Sequence, residues 1–216
     1  MGHYVLIDGT ITIGLLGLWY ACFRAYNRHK GAKVLRWIEA ACGEKGQITK
    51  FRWRGTSYLR VYLHFQSHWF ENARVTVRLL PRPALIEWFI CFLRKQKETL
   101  TFEADLDDAP TLQLDLFRHR WLTHKHIRTD SLPSNWNVTR PGAIVLTTRA
   151  TWNQEHTPVV NALMSARAHR LFRARLSPAS PHLSAAIDLG IVDDEPAAKE
   201  FVEVLHELAV GASARQ

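Results

Sequence analysis

The sequence predicts an α+β protein, in which one N-terminal transmembrane helix is followed by a mostly antiparallel sheet with helices packed on one face. Three observations lead to this fold class. Residues 5–23 are a nearly uncharged apolar run, several later segments alternate apolar and polar residues, and segments with helical periodicity separate them. A period of two suits a sheet that is covered on one face. Short connections favour antiparallel pairing, and the order of the segments suggests a repeated α-β-β(-β) unit.

The apolar run at residues 5–23 is predicted to cross a membrane. It holds 19 residues and a single charge, Asp8, and a helix of that length covers about 28 Å, close to the roughly 30 Å of a hydrocarbon core. No Lys or Arg precedes the run, but five follow it, and we expect them to contact lipid headgroups or other anions: Arg24, Arg28, Lys30, Lys33 and Arg36. The positive-inside rule then places the N-terminus outside and the rest of the chain in the cytoplasm. A cleaved signal peptide, which needs basic residues before the run, and a buried helix or strand of the domain are the alternatives.

One face of this predicted membrane helix carries only small residues, at spacings of four, three and four: Thr10, Gly14, Gly17 and Ala21. Small side chains let two helix backbones approach closely in lipid. We therefore expect self-association or a protein partner at this face, although glycine is also common in membrane helices that have no such role.

Helix and strand patterns follow one another from residue 31 to residue 118. Residues 31–42 have apolar side chains at helical spacing, and Gly43 ends that helix. Alternation of apolar and polar residues predicts three strands, over 47–54, 57–66 and 73–80. A helix over 84–97 begins after Pro83, and two strands over 99–106 and 111–118 flank a turn at 107–110.

The rest of the chain continues the same pattern. An irregular basic stretch over 119–141 is followed by a strand over 142–149, a helix over 157–168, and strands over 170–176 and 183–189. The closing helix over 195–211 is the clearest in the chain, because Pro196 occupies its first turn, apolar residues form one stripe, and Gly211 ends it.

These segments predict the domain organisation. A short external N-terminus (1–4) precedes the membrane helix (5–23), a basic juxtamembrane segment (24–33), a cytoplasmic α+β domain (34–211) and a disordered tail (212–216). Within the domain, the basic loop 119–141 links two predicted sub-units, 34–118 and 142–211. A hydrophobic fraction of 47% is enough for a packed core. A formal charge of +8 indicates anionic partners.

The helix predicted over 84–97 is unusually rich in aromatic residues, with Trp88, Phe89 and Phe92 among them. At this length it is too short to span a bilayer. It is either a core helix packed against the sheet or an interfacial helix that lies on an anionic leaflet, where aromatic burial and basic flanks act together.

The densest basic stretch of the sequence lies near the middle of the chain. Its cations, which we expect to contact lipid headgroups or other anions, are Arg118, Arg120, Lys125 and Arg128. A nucleic-acid site with Trp121 as a stacking platform is an alternative, but no known binding motif supports it. His119, His124 and His126 invite a zinc site, yet no fourth ligand accompanies them, so neither a metal nor another cofactor is predicted.

The sequence carries no phosphate-binding, dinucleotide-binding, serine-hydrolase or zinc-protease motif. We therefore expect a non-enzymatic, single-pass membrane-anchored protein whose basic cytoplasmic domain acts in interaction or as a scaffold. Its expected partners are the bilayer, anionic headgroups and a protein bound through the membrane helix; nucleic acid is not favoured. An enzyme that acts at the membrane surface is the alternative, with the carboxylates Glu103, Asp105 and Asp115 or the histidines from His119 to His126 as candidates.

Overall fold

A computed structural model of the chain describes residues 2–66, 69–110, 113–118, 136–139, 144–149, 171–193 and 196–213. The described helices are α1 (Gly2–Cys42), α2 (Leu85–Leu93) and α3 (Pro196–Ser213), with short 3-10 helices at Gly43–Lys45 and Leu189–Asp193. The described strands are β1 (Gly46–Arg54), β2 (Tyr58–Phe65), β3 (Glu71–Arg78), β4 (Thr99–Asp105), β5 (Leu114–Arg118), β6 (Trp136–Thr139), β7 (Ile144–Arg149), β8 (Leu171–Leu176) and β9 (Leu183–Asp188).

The nine described strands form one sheet in the order β1-β2-β3-β4-β9-β8-β5-β7-β6. Every neighbouring pair is antiparallel. The predicted turn at 107–110 does not join neighbours, because β9 and β8 lie between β4 and β5. Strands from both halves of the chain therefore build a single sheet.

The core lies on one face of this sheet, as the alternation in the strands requires. Leu59, Val61, Leu63 and Phe65 of β2 are buried, and the residues between them are exposed. The second half of α1 and most of α3 cover this face. Phe201 of α3 joins the two layers, since its ring centroid lies 5.9 Å from that of Trp37 in α1 and 6.5 Å from that of Phe102 in β4.

The predicted transmembrane helix is wrong. Among the described residues, no helix combines the length and the apolarity that crossing a bilayer requires. α1 is long, with 41 residues, but Asp8, two threonines and three glycines dilute its apolar side chains between residues 7 and 18. The predicted fold class therefore loses its membrane span. The outer N-terminus, the cytoplasmic placement of the domain and the single-pass anchoring were inferred from that span and lose their basis with it.

Three predicted helices have different boundaries in the structure. The closing helix, predicted over 195–211, runs from Pro196 to Ser213 and so includes Gly211, which was predicted to end it. The helix predicted over 31–42 is the second half of α1, because residues 24–30 continue the helix without a break. The helix predicted over 84–97 ends at Leu93 and has no buried residue, so it is not the core helix that was one of its two interpretations. The helix predicted over 157–168 lies outside the described residues.

Candidate functional site

The first half of α1 projects past the sheet and exposes apolar side chains. Ile7, Ile11, Leu15 and Leu18 share one stripe of the helix, and all four are exposed. Ile13 and Leu16, on another side of the helix, are exposed as well. Farther along α1, Gly31 lies against Trp53 near the end of β1.

α2 presents a second apolar stripe. Ile86, Phe89, Ile90 and Leu93 follow helical spacing, and the exposed fraction of Ile86 reaches 79%. Trp88 lies on the other side of the helix and is half-buried. Phe92 is exposed. The stripe therefore faces away from the protein.

The two stripes belong to neighbouring elements. The ring centroids of Trp19 in α1 and Trp88 in α2 are 6.0 Å apart, and Trp19 Nε1 donates a hydrogen bond to the carbonyl oxygen of Arg82, 3.0 Å away. We call the exposed apolar residues of α2 and of residues 7–18 in α1 the apolar surface. A contiguous exposed apolar patch on a protein surface often marks an interaction site.

A buried polar cluster holds the elements that carry the apolar surface. Glu98, at the start of β4, forms ion pairs with Lys30 of α1 and with Arg82, whose Nη1 lies 2.6 Å from Oε1. The backbone N–H of Leu80 donates to the same oxygen at 3.1 Å. Asn27 of α1 is fully buried, and its Nδ2 donates to the carbonyl oxygens of Thr56 and Leu80.

The charge of Glu98 decides how this cluster behaves with pH. Burial by itself raises the pKa of its carboxyl, but the hydrogen bond from Lys30, the backbone bond from Leu80 and the charges of Arg82 and Lys30 outweigh burial, so the pKa lies below its ordinary value. Glu98 is therefore ionised at neutral pH and neutralises cations on α1 and on the segment before α2.

The basic residues predicted to contact anions have different surroundings. Arg24 and Arg36 are exposed on α1, whereas the guanidinium of Arg28 stacks over Trp53, with Cζ 4.2 Å from the ring centroid. Lys30 belongs to the polar cluster. Lys33 is exposed. Arg118 ends β5, and Arg120, Lys125 and Arg128 lie outside the described residues.

The small-residue face of α1 faces open space in the described structure. A Cβ added to Gly14 or Gly17 meets no atom within 4 Å, and Thr10 and Ala21 are exposed. The predicted pairing at this face therefore stays a prediction.

The face of β1–β3 that lies opposite the core carries cations and two tyrosines. Cross-strand neighbours form three rows: Arg54, Tyr58 and Arg78; Arg52, Arg60 and Thr76; Lys50, Tyr62 and Arg74. These residues are exposed or half-buried, and six of them line a crevice of about 790 Å³: Arg52, Arg54, Tyr58, Arg60, Tyr62 and Thr76. We call the residues of the three rows the basic tyrosine face. The alternation in β2 and β3 predicts the exposed side of both strands, but sequence reasoning did not identify these residues and those of β1 as one surface.

The carboxylates of the enzyme alternative do not converge. Glu103 and Asp115 belong to one row across the sheet, but β9 and β8 lie between their strands. Three strand spacings separate them by about 14 Å, whereas a carboxylate pair that flanks a reacting bond is at most about 9.5 Å apart. Each also has a cationic neighbour, because Arg74 Nε lies 2.6 Å from Glu103 and Arg175 Nε lies 3.6 Å from Asp115.

Asp105, the third carboxylate, accepts hydrogen bonds from neighbouring residues. Its hydrogen bond with Ser180, and further ones with Asn72 and His182, hold the pKa of its carboxyl below the ordinary value despite burial. No group of three or more His, Cys, Asp or Glu side chains is arranged for a metal within the described part of the chain. His119, His124 and His126 lie outside it.

No protein-family model matches the chain, and no curated protein is significantly similar to it.

Proposed function

We propose that this protein binds an anionic lipid surface peripherally, with the apolar surface lying in the interface and with α1 and α2 not crossing the bilayer. The observation that carries the proposal is the exposed stripe of α2, Ile86, Phe89, Ile90 and Leu93, which points away from the protein beside the stripe of α1. A short helix with one strongly apolar side is suited to lie in the plane of a membrane interface.

The charges around the apolar surface support a lipid rather than a second copy of the chain. Arg94 and Lys95 follow α2 directly, and Arg24 follows the exposed part of α1; all three are exposed. In a symmetric pair built on this surface, both copies contribute the same three cations. Anionic headgroups instead gain attraction from each cation close to the surface, about 1 kcal/mol per residue.

A flotation assay with lipid vesicles tests the proposal with a matched pair of variants. Phe89 on α2 and Phe51 on β1 have nearly equal exposed fractions, 54% and 55%, but only Phe89 belongs to the apolar surface. Phe89→Asp and Phe51→Asp therefore remove the same exposed ring and add the same charge at different places. Each variant is floated with vesicles of phosphatidylcholine alone and of phosphatidylcholine mixed with phosphatidylserine.

The wild type and Phe51→Asp are expected to float with the mixed vesicles. If about half of a ring of roughly 200 Å² enters the interface, its loss costs up to about 2.5 kcal/mol, so Phe89→Asp is expected to weaken binding by as much as about 70-fold. Alkaline carbonate is expected to release the wild type from the vesicles. Equal binding by both variants, or protein that stays with the membrane through the carbonate wash, contradicts the proposal. The proposal is also contradicted if the protein forms a dimer without lipid, Phe89→Asp dissociates that dimer, and no protein floats with vesicles.

A further inference from the structure

We infer that the basic tyrosine face binds single-stranded nucleic acid, with its cations on the phosphates and its tyrosine rings stacked on bases. This inference is independent of lipid binding. It rests on the composition of the face, on five cations that have no carboxylate partner among the described residues, and on the extent of the face along the strands.

The composition of the face fits a single nucleic-acid strand, in which charged phosphates alternate with aromatic bases. Tyr58 lies between Arg54 and Arg78 across the sheet, and Tyr62 lies between Lys50 and Arg74. Both rings are exposed. The guanidinium of Arg78 lies over the Tyr58 ring, with Cζ 5.9 Å from the centroid, whereas no described ring or guanidinium stacks on Tyr62. Cationic grooves interleaved with exposed aromatic side chains are typical of proteins that bind single strands without sequence preference, because every base offers a face for stacking.

The arrangement of the cations on this face destabilises the fold. Arg52 and Arg60 lie directly opposite each other on neighbouring strands, and like charges at such positions destabilise a sheet. Among the described residues, Arg74 has a carboxylate partner in Glu103, but Lys50, Arg52, Arg54, Arg60 and Arg78 have none. An anionic ligand removes the repulsion between these side chains.

The extent of the face favours a polymer over a lipid headgroup. The three rows are two residues apart along each strand, so they span about 14 Å in the strand direction. The Arg54 row lies beside α2, with which it lines a common crevice, and the Lys50 row lies at the far end. A membrane leaflet in contact with α2 reaches the Arg54 row, whereas an extended nucleic-acid strand reaches all three rows.

Fluorescence anisotropy of a fluorescein-labelled oligothymidylate and oligouridylate, each of roughly 16 nucleotides, tests the inference on the full chain. Salt is varied between about 50 and 200 mM. If five cations contact phosphates, the logarithm of the association constant falls against the logarithm of salt concentration with a slope of about −3.5. Arg60→Gln is expected to make that slope shallower by about 0.7.

Substitutions of Tyr62 separate stacking from simple attraction of charge. Tyr62→Ala is expected to weaken binding between about fivefold and 150-fold without changing the salt slope, and Tyr62→Phe is expected to bind like the wild type. Lys199→Gln, which removes an exposed cation from α3 on the covered side of the sheet, is the control. Circular dichroism confirms that each variant is folded.

Three outcomes overturn the inference. They are no binding at the lowest salt, an unchanged affinity in Tyr62→Ala, and an equal loss of affinity in Arg60→Gln and Lys199→Gln. Binding to phosphatidylserine vesicles that Arg60→Gln abolishes, with no oligonucleotide binding, assigns the face to lipid instead. Because the oligonucleotide assay contains no lipid, its failure leaves the vesicle result of Phe89→Asp unaffected.

Discussion

Replacing the buried carboxylate Glu98 by glutamine is expected to destabilise the protein far more than the same change at Glu103, five residues along the chain. Glu98 is 9% exposed and pairs with Lys30 and Arg82. Removing one partner from a buried ion pair costs about 3–5 kcal/mol, and we expect about 3 kcal/mol because Lys30 keeps some contact with solvent. Glu103 faces the open side of the sheet, where an exposed pair contributes at most about 1 kcal/mol.

Thermal unfolding followed by circular dichroism measures the difference. For a chain of this size, about 3 kcal/mol corresponds to a Tm that is lower by about 6–12 °C, and Glu103→Gln is expected to lower the Tm by no more than about 4 °C.

The effect of Glu98→Gln also depends on pH, and its sign follows from the direction of the pKa shift. Because the pKa of Glu98 is lower in the folded protein than in the unfolded chain, its stabilisation is complete above the ordinary glutamate pKa of about 4.3 and is lost as the pH falls through the folded value. The Tm values of the wild type and of Glu98→Gln should therefore converge below a pH of about 4. A Tm difference that is as small as that of Glu103→Gln, or one that does not shrink in acid, refutes this account of the cluster.

Two further predictions concern α1. A Cβ at Gly31 lies 2.5 Å from two ring atoms of Trp53, whereas one at Gly14 meets nothing within 4 Å. Gly31→Ala is therefore expected to lower the free energy of unfolding by about 1–3 kcal/mol, and Gly14→Ala to leave it unchanged or raise it by up to about 1 kcal/mol. Urea unfolding measures both free energies, and equal effects contradict the packing at Gly31. Burial raises the pKa of the Cys42 thiol to about 11, whereas Cys22 is exposed, so iodoacetamide at neutral pH should modify Cys22 in the folded protein and Cys42 only in denaturant. Peptide mass spectrometry reads out both thiols, and similar rates for the two in the folded protein refute the prediction.

The strands could be predicted because one face of the sheet is buried. In β2 and β4, every second residue faces the core, which imposes the period of two that alternation in the sequence reveals. The order of the strands could not be predicted in the same way. β4 pairs with β9, at residues 183–188, and nothing local to residues 99–105 specifies that distant partner.

The nature of α1 was mispredicted for a different reason. The prediction weighed the length of the run and its single charge, but not the dilution of its apolar side chains by Asp8, threonine and glycine, which leaves the helix too little apolar to span a bilayer. The polar cluster was missed because Asn27, Arg82 and Glu98 are far apart in the chain. Each looks like an ordinary surface residue until the fold buries it.

The most direct test of lipid binding reports where α2 lies when vesicles are present. An environment-sensitive nitrobenzoxadiazole dye is attached to Phe92→Cys, and for comparison to Lys199→Cys on α3, in chains in which Cys22 and Cys91 are replaced by alanine and the buried Cys42 is retained. With phosphatidylserine-containing vesicles, the dye at position 92 is expected to shift its emission to the blue and brighten, while the dye at position 199 stays unchanged. A dye at position 92 that remains as exposed to water as the one at position 199, under conditions in which the protein floats with the vesicles, contradicts the account.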